Sequence, residues 1–138
     1  MLRKKTATYA LLALYEIARQ SQDSSAPIGV RAGDIAAKHK LPKAYAAKIL
    51  SQLANAGILH SDRGPRGGFR LNRTPDAISL YDVFDGVGAF VSFDTPDTAF
   101  HAMPSAVLNA MAKAQLDASG RLKDLFLSTS LIDVLKAS

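Results

Sequence analysis

Apolar positions recur at intervals of three and four near the start of the chain. Leu11, Leu14, Ile17 and Ala18 share one helical face within residues 6–20, TATYALLALYEIARQ. The polar stretch SQDSSAP, 21–27, ends that period and reads as a loop. Ile28-Gly29-Val30 predicts a very short strand. Residues 31–40 predict a short helix with Ile35 and Ala36 on its apolar side and Asp34 near its start, where a carboxylate suits the helix dipole. Leu41-Pro42 breaks the pattern, and proline is suited to the first position of a new helix. In residues 42–57, Ala46, Ile49, Leu50 and Leu53 make the stripe to be buried, Lys43, Ala44, Lys48 and Gln52 make the opposite face, and Gly57 caps the end. A strand resumes at Ile58-Leu59, RGPRGG forms a glycine-rich link, and FRLN returns as a second strand, so the segment predicts a hairpin.

Beyond RTPDAIS the helical period returns. Residues 79–88 predict a helix with Ser79 as N-cap, Asp82 completing a capping box, and Leu80, Val83, Phe84 and Val87 as the apolar face. Residues 89–103 show no period. Residues 104–127 are helical in pattern, with Gly120 marking a kink or break. A last short helix is capped by Ser128 or Ser130. The order helix, short strand, helix, turn, helix, hairpin is that of a winged helix-turn-helix. The fold class is therefore mainly α with a small β-hairpin. A winged helix-turn-helix DNA-binding domain occupies residues 1–75, and a helical dimerisation or regulatory region occupies 76–138.

Charge sharpens that division. Residues 1–75 carry 13 Lys/Arg against 4 Asp/Glu, a net of +9, whereas residues 76–138 carry 4 against 8, a net of −4. A basic half beside an acidic half implies that the first meets a polyanion. Arg63, Arg66 and Arg70 ring one tight turn, where folding alone gains nothing from like charges. Glycines let such a hairpin approach a surface closely, and a narrow minor groove attracts arginine in particular. The helix over 42–56 is the candidate for a major groove, with Lys43, Ala44, Tyr45, Lys48 and Gln52 toward double-stranded DNA and Arg63 and Arg66 on the wing. Tyr45 serves equally well as a packing residue beneath the helix.

Other chemistries have less to build on. The chain has no cysteine, which excludes disulfides, thiolate zinc sites and cysteine-ligated iron–sulfur clusters. His39, His60 and His101 lie far apart and read as structural or surface residues, so no metal and no cofactor is expected. There is no nucleophile–base pattern and no phosphate loop, so an enzyme is not expected. Tyr15, Glu16 and Arg19 interrupt the apolar N-terminal stretch, which reads as an amphipathic helix of a cytoplasmic protein rather than a leader or membrane span. Phe90, Phe93 and Phe100 line the aperiodic segment, either as filling or as the contact point of a small-molecule or protein effector. A winged-helix module that binds RNA or an acidic protein remains the alternative to a DNA-binding regulator.

TATYALLAL, IAAKHKLPKAYAAKILSQLANAGIL, SDRGPRGGFRL and ISLYDVFDGV together resemble the Rrf-two family of bacterial winged-helix transcription regulators, whose branches include IscR, NsrR and CymR. The likeness runs over nearly the whole chain, to SLIDVL. It implies a homodimeric repressor or activator whose two recognition helices meet a roughly palindromic operator. It also implies a long dimerisation helix starting near Pro104, where Val107, Leu108, Met111, Leu122, Leu125 and Phe126 have the apolar spacing for a partner helix. Arg63 falls on the family's wing arginine, and Tyr45 on a frequent aromatic of its recognition helix. The departure is in the sensor. Cluster-binding members carry three cysteines where this chain has AFVSFDTPDTAFHAM, and Thr8 stands where some branches place an acidic ligand.

Overall fold

The computed structural model describes residues 2–23, 29–64, 67–91 and 103–137. Helix α1, Lys4–Asp23, is the central element. It buries Ala7, Ala10, Ala13, Leu14, Ile17 and Ala18, and its small residues let other elements come close. It outruns the apolar period at both ends, because polar residues extend a helix without adding to its buried stripe. Helix α2, Ala32–His39, ends at Lys40, which adopts the left-handed conformation at φ 55°. That residue makes the turn into α3, Lys43–Asn55, and Pro42 stands as its N-cap, one position before the helix proper.

The end of α3 shows why Gly57 follows it. Ile58 N–H donates to Leu53 and Gly57 N–H to Ala54, both at 3.0 Å, a Schellman pair that needs the positive φ of 79° at Gly57. Ile58 and Leu53 are both fully buried, which supplies the apolar contact of that motif.

Strands β1, Leu59–Asp62, and β2, Gly68–Leu71, pair antiparallel from Leu59–Leu71 to Asp62–Gly68. Of the short strand expected over Ile28-Gly29-Val30, Ile28 lies outside the described residues and Val30 forms a single bridge: Val30 and Phe69 exchange backbone hydrogen bonds at 2.8 Å each. The approach is close enough that a Cβ on Gly68 would sit 2.8 Å from the Val30 backbone. Glycine is needed there for both space and its φ of 142°.

A 3-10 turn, Pro75–Ala77, leads to α4, Leu80–Gly86, where Ser79 and Asp82 form the expected capping box. Helix α5, Ser105–Ser128, runs unbroken through Gly120, contrary to the expected kink. A helical glycine costs only about 1 kcal/mol relative to alanine, too little to break a 24-residue helix. Helix α6, Leu131–Lys136, is capped by Ser130 with Asp133, while the Ser128 hydroxyl donates to the Leu125 carbonyl. Leu131 N–H donates to Ile78 at 2.8 Å and Leu80 N–H to Thr129 at 2.9 Å, tying the start of α6 to the start of α4.

One core joins these parts. Leu14, Ile17, Ile49, Leu50 and Leu53 pack with Ile78, Val83 and Leu131, all at most 2% exposed. Each such side chain contributes roughly 1.5–3 kcal/mol on burial. The described residues are mostly helical with a two-stranded hairpin, as the periodicity predicted.

Candidate nucleic-acid interface

Burying Ala46, Ile49, Leu50 and Leu53 turns the opposite side of α3 outward. Lys43, Ala44 and Lys48 are exposed there, and Gln52 is half-buried. Tyr45 has an intermediate position. Its hydroxyl lies 2.8 Å from the Thr6 hydroxyl, and its ring meets Tyr9 edge-on with centroids 5.5 Å apart. Tyr45 thus clamps α3 to α1. It also borders a surface groove of about 260 Å³ lined by Arg3, Thr6, Lys48 and Gln52, with Gly88 at its edge.

That groove brings in residues the sequence reading did not single out. Arg3, Lys4 and Lys5 are exposed at the first turn of α1, which has no acidic residue. Cations at a helix N-terminus oppose the macrodipole by about 0.3–1 kcal/mol each, so the helix itself does not favour them. A basic run at a predicted helix start was the available signal. Arg3 is fixed because its N–H donates to the Ala89 carbonyl at 2.7 Å and Leu2 pairs with Phe90 in an isolated bridge. Lys5 lies 5.8 and 5.9 Å from the centroids of Tyr9 and Tyr45.

At the hairpin the arginines differ. Arg70 is engaged by Asp62, at 2.7 Å through Nε and 3.5 Å through Nη2. The Arg70 hydrogen bond holds the Asp62 carboxyl below the usual carboxylate range, against the opposing effect of desolvation. His60 lies 3.2 Å from the other oxygen of Asp62. Arg63 is exposed at the tip and has no ion pair among the described residues. Arg66 lies outside the described residues.

A buried carboxylate steadies the helix-turn-helix from behind. Glu16 in α1 is 2% exposed and accepts hydrogen bonds from Lys38 at 2.6 Å, Arg19 at 2.9 Å and Gln20 at 3.0 Å, with His39 at 3.4 Å. Burial alone would raise its pKa; the hydrogen bonds outweigh burial and lower it to about 2. Glu16 remains ionised and ties α1 to the end of α2.

In the C-terminal half, Phe90 packs against Tyr81, Phe84 and Phe126 at centroid distances of 5.3, 6.3 and 6.2 Å. Phe93 and Phe100 lie outside the described residues. On α5, Val107, Leu108, Met111 and Leu125 are exposed, with Leu116 and Leu127 beside them. Leu122 and Phe126 turn toward their own chain: Phe126 meets Phe84 edge-on at 5.1 Å, and Leu122 lines a crevice between α4 and α5.

The family model described as "Rrf2: Iron-dependent Transcriptional regulator" matches residues 3–137. The chain belongs to the Rrf2 family. The HTH-type transcriptional regulator IscR of Aliivibrio salmonicida is 33% identical over 79 residues, 57% of this chain and 45% of that protein. The chain spans about half the length of the curated relatives it matches. Two solved structures share the fold. IscR of T. potens has a TM-score of 0.70 at 21% identity, covering 96% of this chain and 84% of that one. CymR, the global cysteine regulator of B. subtilis, has a TM-score of 0.68 at 22% identity, covering 96% and 95%. These Rrf2 relatives and fold neighbours are transcription regulators, not enzymes.

The iron in the family description meets a donor set that does not suit a thiolate-held cluster. This Rrf2 chain has no cysteine. His39 is committed to Glu16 and His60 to Asp62, and His101 lies outside the described residues. Among the described residues no three His, Asp or Glu side chains converge as a metal site. No helix among them is long and apolar enough to cross a membrane.

Proposed function

We propose that this Rrf2 regulator is a homodimer that binds a roughly palindromic operator in double-stranded DNA, without an iron–sulfur cluster. The observation that carries this reading is the groove where Lys48 and Gln52 of the outward α3 face meet Arg3 of α1. A B-DNA major groove, roughly 12 Å wide, admits a helix. With α3 in it, Lys43, Ala44, Lys48 and Gln52 face the bases or their flanking phosphates. Tyr45 then supports the helix through Thr6 and Tyr9, its hydroxyl at the rim. Arg63 and Arg66 reach the adjacent minor groove from the wing.

The dimer follows from α5. Every residue from 104 to 114 is exposed, including Val107 at 45%, Leu108 at 42% and Met111 at 55%. Several helical turns with an apolar side left exposed among the described residues favour a cover. A second α5 supplies it through one self-complementary surface, and two-fold symmetry places two recognition helices on successive half-sites about 34–36 Å apart.

The test recovers bound genomic fragments and measures their affinity at matched salt against scrambled duplex. Specific binding at least several hundredfold above the scrambled duplex is expected. Arg63→Ala should cost about 1–3 kcal/mol on the recovered sites while far-ultraviolet dichroism stays unchanged. Equal affinity for operator and scrambled duplex would overturn the reading and favour a winged-helix module for RNA or an acidic protein.

A further inference from the structure

Helix α4 places Tyr81 and Asp85 one turn apart, and α5 places Ser119 and Lys123 one turn apart opposite them. Between the helices lies a crevice of about 270 Å³, walled by Phe90, Val91 and Leu122 and open at one side. This is just below the roughly 300 Å³ at which pockets accept drug-sized molecules, so its ligand is smaller. The aromatic wall is well fixed, because Phe90 is wedged among Tyr81, Phe84 and Phe126.

The polar groups are distinctive. The Lys123 ammonium sits 5.2 Å from the Tyr81 ring centroid and has no carboxylate partner among the described residues. The Asp85 carboxylate is likewise unpaired among them, although it borders the same crevice. Two opposite charges held on facing helices without pairing complement a ligand that carries both signs. An apolar wall between them calls for an apolar body.

The crevice is linked through the backbone to the groove beside Lys48. Phe90 is bridged to Leu2 by backbone pairing, and the preceding carbonyl, of Ala89, accepts the Arg3 N–H. Arg3 lines the groove beside Lys48. A ligand seated against the Phe90 ring therefore bears on the segment that positions Arg3.

We propose that the α4–α5 crevice binds a small zwitterion, an α-amino acid with an apolar side chain, with its carboxylate on Lys123 and its ammonium on Asp85, and that the Leu2–Phe90 bridge carries occupancy to Arg3. Only the consequence for operator binding rests on the proposed DNA-binding function; the site and the relay do not.

Calorimetric titration of the full chain with L-leucine and L-phenylalanine tests the site. One of the two should bind. For the amino acid that binds, the amine lacking its carboxylate and the acid lacking its ammonium (2-phenylethylamine and 3-phenylpropionate for phenylalanine) should bind about tenfold more weakly or worse, as each loses one charged contact. Lys123→Ala and Asp85→Asn, each confirmed folded by dichroism, should show the same loss. Hydrogen exchange then tests the relay without DNA: the bound amino acid should change the exchange rate of the Arg3 amide several-fold. No binding of either amino acid, or equal binding of the single-charge analogues, overturns the site. Binding with unchanged exchange at Arg3 overturns the relay.

Discussion

Glu16 shows how much one residue can hold in place. Its carboxylate is buried yet receives Lys38, Arg19, Gln20 and His39, so it is ionised in the folded chain and its pKa falls from 4.5 to about 2. A lowered carboxylate pKa stabilises the folded state at pH above the unfolded value of 4.5, and that contribution fades as pH falls toward 2. Acid titration of the melting temperature should therefore show a decline between these values that is flatter in Glu16→Gln. At neutral pH the same variant should lose about 1–3 kcal/mol, because Lys38 and Arg19 lose a charged acceptor. An acid limb of the same slope in the variant would assign the decline to other carboxylates. The sequence alone marked Glu16 only as an interruption in an apolar stretch: Arg19 and Gln20 follow one turn on in the same helix, but Lys38 and His39 arrive 22 and 23 positions later from another helix. Arg70 is the same case reversed. Its charge was legible beside Arg63, but its pairing with Asp62 across the hairpin required the register.

Elements were more legible than partners, because periodicity reports which side of a helix is buried. The stripe Ala46, Ile49, Leu50 and Leu53 is buried as the spacing required, and both capping boxes sit where serine and aspartate stand three apart. Gly120 was misleading for a local reason. The glycine signal is a preference of order 1 kcal/mol, and the surrounding helix-forming residues outweigh it. Gly120 is exposed, its φ is not positive, and beyond its own stretch of helix backbone nothing lies within 4 Å of where a Cβ would go. Gly120→Ala should then stabilise the chain by about 0.5–1 kcal/mol, read as a rise in denaturation midpoint at unchanged slope. A lower midpoint would show that a neighbour occupies that space in the assembled protein. Direction along α5 was less legible: Leu122 and Phe126 share apolar spacing with Leu125, yet they face inward while Leu125 is 57% exposed. The proposed dimer uses the outward set. Leu108→Asp with Met111→Asp should yield a folded monomer by light scattering where the parent chain has twice the monomer mass. A parent that is monomeric at micromolar concentration would remove α5 from the interface.

At the scale of the whole molecule, charge and architecture coincide. The half with a net of +9 contains α1, α2, α3 and the hairpin, while the half with a net of −4 contains α4, α5 and α6. One core joins them, so a polyanion held by the first half would be sensed through a common body. The basic half presents more cations than α3 carries, and Arg3, Lys4 and Lys5 form a run of three at the start of α1. Their place at the start of α1, beside Lys48, suits contact with phosphates rather than base edges, and phosphate contacts fix register without reading sequence. Each neutralised phosphate contributes about 0.9 to the slope of log affinity against log salt. Replacing Arg3, Lys4 and Lys5 together by glutamine should therefore reduce that slope by up to about three and weaken operator and scrambled duplex alike, leaving their affinity ratio within about twofold of the parent. The substitution also relieves like-charge crowding at the helix start, so thermal stability should hold or rise slightly. An unchanged slope in the folded triple variant would show that the first turn of α1 stands off the duplex. A fall in the affinity ratio instead would place Arg3 against a base edge and make the groove beside Lys48 part of sequence readout.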